Sequence, residues 1–143
     1  MDNLHQHRDY LEAEWRALRA APLSRRKAIL VAALADAYVD RLFDADPTVD
    51  DILVYRAEAA ARSPALGQVM ALCAGVTGFA VVTEAVVVPL AEYGSLGVED
   101  FMVSLYNDHS VQRLRLTLPD GGRSDMLDVL EKAIAALERA AEL

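Results

Sequence analysis

The sequence predicts an α+β fold: an N-terminal layer of about four helices, a small antiparallel sheet that includes a hairpin over 101–118, and a C-terminal helix packed on that sheet. Three observations predict it. Apolar residues recur at helical spacing from Leu4 to Cys73 and again from Leu127 to Leu137. Strict alternation takes over from Phe101 to Leu118. The helical stretches also stand apart from the strand-like ones, without the interleaving that a βαβ chain shows.

Leu4 to Ala20 is the first helix, with Leu4, Leu11, Trp15 and Leu18 on one stripe. Pro22 closes it, and Ser24 caps a longer helix from Arg25 to Asp44. Two rows on that helix, Leu30–Leu34–Tyr38–Leu42 and Val31–Ala35–Val39–Phe43, make it central to the helical layer. Its first turn carries Arg25, Arg26 and Lys27, the wrong sign for the helix dipole, so these side chains meet acids elsewhere or wait for an anion. Thr48 opens a third helix to Arg62, with Asp50 and Asp51 in its first turn. Ser63-Pro64 restarts the chain as a fourth helix, which stops at Gly75.

No charged residue occurs from Ser63 to Thr83, so a membrane span has to be weighed. Pro64, Gly75 and Gly78 break the run, and the β-branched residues Val81, Val82 and Val86 to Val88 follow it. A buried helix followed by strand is the expectation, either one bent strand or two meeting at Thr83-Glu84.

In the hairpin, Phe101, Val103 and Leu105 alternate with Met102, Ser104 and Tyr106, and Leu114 and Leu116 alternate with Arg113 and Arg115. Placing Tyr106 opposite Val111 sets Val103 against Leu114 and Phe101 against Leu116 on one apolar face. The loop is two residues or four, Asn107 to Ser110, and histidine at position 109 favours four. If the apolar face is sealed, Phe101→Ala or Leu116→Ala should cost about 3 kcal/mol. Pro119-Asp120-Gly121-Gly122 is a turn, and Ser124 caps the last helix, on which Leu127, Leu130, Ile134 and Leu137 recur.

The length of 143 residues fits one domain, 1–143, with a core of its own. Hydrophobic residues make up 54 % of this acidic chain, a surplus that points to self-association, most simply a homodimer. A net charge of −8 disfavours nucleic acid, whose phosphates need cations. One cysteine excludes an internal disulfide framework and fits the reducing cytoplasm. The charged, helical amino terminus does not read as a signal peptide.

The chemistry-bearing residues form no coherent catalytic set, and no motif calls for a cofactor. Asp36, Asp40 and Asp44 share one helical row, which suits a divalent cation but more often is a solvated acidic face. His5 and His7 point to different faces of the first helix and are expected at the surface. Cys73, in an apolar helix, reads as a buried thiol. Gly75 to Gly78 lacks the lysine of a phosphate loop. The surface singled out for binding is the second face of the hairpin, with Met102, Ser104, Tyr106, Arg113 and Arg115, and His109 at its tip. Arginine, tyrosine and methionine suit a protein interface, and the arginine forks also suit a small anionic ligand or substrate in a pocket between sheet and helices.

Overall fold

The computed structural model describes residues 3–87, 100 and 110–142. Four helices come first: α1 (Asn3–Ala20), α2 (Arg25–Ala45), α3 (Ile52–Arg62) and α4 (Pro64–Cys73). Three strands follow, β1 (Ala80–Val87), β2 (Ser110–Thr117) and β3 (Arg123–Asp125), and α5 (Met126–Ala141) ends the chain. The α+β class, the four-helix N-terminal layer and the C-terminal helix against a small antiparallel sheet are as the sequence predicts.

Local chemistry sets most boundaries. Ser24 Oγ accepts from Lys27 N at 3.2 Å and starts α2. Ser63 does the same for Leu66 N at 3.2 Å, and Pro64 supplies the first residue of α4. That helix ends in a left-handed Gly75 (φ 73°), with Gly75 N donating to Leu72 O and Val76 N to Ala71 O, the paired bonds of a glycine-terminated helix.

Two caps differ from expectation. Asp51, not Thr48, caps α3, its carboxylate accepting from Leu53 N at 2.9 Å. Thr48 instead gives its N–H and hydroxyl to Asp46 at 2.9 and 2.6 Å. Those two donors hold the Asp46 carboxyl below its usual range. Likewise Asp125 caps α5, accepting from Asp128 N at 3.0 Å, while Ser124 lies in β3. In each case the residue nearer the helix takes the cap, because a carboxylate also favours the positive end of the dipole.

The sheet order is β1-β2-β3, antiparallel throughout. β1 is one continuous strand, with Val81 opposite Leu116, Thr83 opposite Leu114 and Glu84 opposite Arg113. Among the described residues β3 pairs only with Arg115 to Thr117. The first strand expected for the hairpin, 101–106, and its register lie outside the described residues. The second is β2, with β1 on one side and, from Arg115 to Thr117, β3 on the other.

Val81, Leu114 and Leu116 face α2 and α5 and merge with one core. Into it α1 sends Leu11 and Leu18, α2 Val31, Ala35 and Val39, and α5 Leu130, Ala133 and Leu137. The expected rows of α2 hold except at Leu30, which stands in solvent. Gly78 (φ 99°) lies where a Cβ would come within 2.7 Å of Pro119 Cα. Thr117 Oγ1 donates to Gly78 O at 2.9 Å, so the β2–β3 turn is fastened over the entry to β1. Among the described residues no helix is long and apolar enough to cross a membrane.

Candidate functional site

Period two places Arg113 and Arg115 on the sheet face away from the core, beside Glu84 and Val82 of β1. Both arginines are engaged. Arg113 Nη2 lies 3.1 Å from Asp100 Oδ2, and its Nη1 donates to Gln112 O at 2.8 Å. Arg115 Nη2 donates to Arg123 O at 3.4 Å, and its Nε is buried without a hydrogen-bond partner among the described residues. Arg123 in turn is ion-paired with Glu84. A face with these acids beside its arginines is close to neutral. Met102, Ser104, Tyr106 and His109, the other residues singled out for binding, lie outside the described residues.

A cleft of about 450 Å³ does lie between the sheet and the helices. The α1–α2 turn (Ala21 to Ser24) forms one wall, and Gln112 to Leu114 with Leu127 the other. Its one cation is Arg113, against Asp100 and Asp125 among the described lining residues. That balance does not favour an anion.

The Asp36–Asp40–Asp44 row is not wholly solvated. Arg56 of α3 reaches across to it, pairing with Asp36 and, at 2.9 Å, with Asp40 Oδ1. Its Nη1 also donates to Asp36 O at 3.3 Å. Burial opposes the guanidinium's charge, but hydrogen bonds and attraction from Asp36 and Asp40 outweigh it, so the Arg56 pKa stands above its ordinary value. Asp44 is exposed. Among the described residues no group of three His, Cys, Asp or Glu side chains could hold a metal ion.

Arg56 makes α3 unusual. The helix turns this charge inward and buries none of its residues, while Leu53 is 76 % exposed and Val54, Ala57 and Ala61 are exposed beside it. No sequence signal marked Arg56, because its partners lie on another helix.

Two further expectations need correction. His7 is half-buried, not exposed: its Nε2 lies 2.8 Å from Leu34 O, and its ring meets Tyr38 edge-on at 5.5 Å. Helical phase turns it toward α2, while His5 stays exposed, 3.7 Å from Asp9. Cys73 is exposed at the last turn of α4, where the apolar run reaches solvent. Its sulfur still sits against protein on one side. That desolvation, with the Asp36 charge added, pushes the thiol up to about 11.

The outer edge of β1 was not singled out from sequence. The strand AVVTEAVV is eight residues long, and among the described residues it has a neighbour on one side only. It contains no proline, lysine or arginine, and its single charge, Glu84, is spent on Arg123. Val87 is 70 % exposed, and Thr83 and Ala85 are exposed with it. The valine run signalled a strand; that it stands at an edge depends on pairing across a long connection. No family model, no curated protein and no solved structure matches this chain.

Proposed function

We propose that the protein works by self-association, as a homodimer joined through the outer edge of β1, and that it is not an enzyme. The observation that carries the reading is that edge: eight Val-rich residues whose outward side has no partner strand among the described residues, with no lysine or arginine in the strand. A row of unpaired N–H and C=O groups is a template for another strand, and proteins that stay monomeric block it with lysine, proline or a covering segment. Pairing two copies about a twofold axis would join two three-stranded sheets into one of six. The outward face of α3 is the competing apolar surface, but its backbone is already satisfied within the helix. The lone cysteine fits a cytoplasmic setting, and the acidic charge argues against nucleic acid as the partner.

Sedimentation equilibrium over a wide concentration range tests this. The expected species is a dimer, and Thr83→Lys, which sets two lysines near the twofold, should yield a monomer with unchanged far-ultraviolet circular dichroism. A wild-type chain that stays monomeric at the highest concentration would sink the proposal. So would a dimer that survives Thr83→Lys and is lost in Leu53→Glu.

A further inference from the structure

α3 packs on α2 and α4 but leaves a gap toward α5. The gap is a cleft of about 290 Å³, floored by the buried side chains of Val39, Leu42, Leu66 and Leu137. Arg62, Ser63 and Arg139 line both this cleft and an adjoining one that reaches Lys132.

Ser63 is 7 % exposed and is the one buried polar residue among those described. Its Oγ accepts from Leu66 N at 3.2 Å, and no acceptor for its own hydroxyl proton stands among the described residues. Arg139 has no ion-pair partner among them either. Arg62 reaches Glu58 only at 3.4 Å, through side chains that are both more than half exposed. On a chain of charge −8, two arginines weakly held or unpaired at the mouth of an apolar cleft are a local exception. Tyr55 closes another wall, its phenol pKa raised by desolvation and then by Asp46, so its hydroxyl stays protonated.

We infer that the α3–α5 cleft binds a small monocarboxylate with an apolar body: the body lies on Val39, Leu42, Leu66 and Leu137, and the carboxylate meets Arg62, Ser63 and Arg139. A planar carboxylate accepts from both an arginine fork and a hydroxyl, which suits this donor set. The floor offers an apolar chain a surface that excludes water and gives no polar partner along its length. The volume is at the low end for ligand pockets, enough for a body of roughly ten non-hydrogen atoms. The site stands apart from the β1 edge and does not depend on it.

Octanoate is the probe and 1-octanol its uncharged counterpart, measured on the intact chain by calorimetry and by amide shift mapping. Octanoate should bind saturably, at least tenfold more tightly than octanol, with shifts concentrated at Ala59, Ser63, Leu66 and Arg139. The double variant Arg62→Gln/Arg139→Gln changes only exposed side chains, so folding is not at issue. It should weaken octanoate at least tenfold and leave octanol unchanged. No saturable binding at about 10 mM octanoate, the weak limit of a specific site, would refute the inference. Equal affinity for the two probes would refute it too, as would shifts scattered over the surface or a double variant that binds octanoate as the wild type does.

Discussion

Arg56 decides how α3 sits. Its side chain is 23 % exposed and Asp36 is 27 % exposed, so the pair is partly screened and partly desolvated. Exposed pairs contribute little, whereas breaking a buried one strands a charge; this one lies between. Arg56→Met should therefore lower stability by about 1–2 kcal/mol in urea unfolding, and Arg56→Lys should recover less than half, since one ammonium cannot fork to two carboxylates. The acidic row was legible in the sequence from its spacing of four. Its partner, twenty residues away on another helix, was not, because the approach of α3 to α2 is a tertiary event. Cys73 gives a second prediction at this scale. With its pKa moved from 9.0 to about 11, the native thiol has about a hundredfold less thiolate than an ordinary one at any pH below both values. Iodoacetamide labelling at pH 8 should be much slower in the native protein than in urea, despite the exposure of the residue, and should speed up as pH rises toward 11. A folded-state pKa above the unfolded one stabilises the fold while pH is below the unfolded value. That contribution is lost as pH rises through about 11.

At the scale of elements, what could be read in advance was what the chain settles locally. Ser24, Ser63-Pro64 and Gly75 act within a few residues of themselves, so their boundaries fell where composition put them. Thr48 and Ser124 failed as caps because an aspartate one to three residues further on offered a stronger acceptor. The pairing of β1 with β2 lay beyond such reasoning, since Ala80 meets Thr117 across a connection that no local rule constrains. Two substitutions test how tightly the sheet is held. Leu116 is fully buried, so Leu116→Ala should cost about 3 kcal/mol in chemical denaturation. Gly78→Ala faces a left-handed backbone and the Pro119 Cα together, and the clash is with main chain, which cannot swing aside. It should cost about 1–3 kcal/mol and loosen the β2–β3 turn, seen as faster amide exchange at Leu118 and Gly121.

For the whole molecule, symmetry turns the proposed dimer about the β1 edge into a prediction about one residue. Antiparallel strands related by a twofold normal to the sheet place residues with a constant sum of numbers opposite each other, and opposed residues share a face. The axis must then pass through a residue, not between two. Passing through Glu84 would set two carboxylates side by side. Passing through Thr83 sets Glu84 against Val82 and Val81 against Ala85, and keeps nearly the full strand in register. In a Cys73→Ser background, Thr83→Cys should therefore oxidise to a covalent dimer, because directly opposed Cβ atoms lie about 4.5–5.5 Å apart. Ala85→Cys should not, since its twin lies four residues along the strand, about 13 Å away. Charge adds a direction. Each copy carries −8 while the edge itself is nearly neutral, so bulk repulsion opposes a contact that has no salt bridges to lose. Raising ionic strength from about 0.01 to 0.5 M shortens the screening length several-fold and should tighten the dimer. Weaker association at high salt would mean that charged side chains hold the two copies together and that the β1 edge does not.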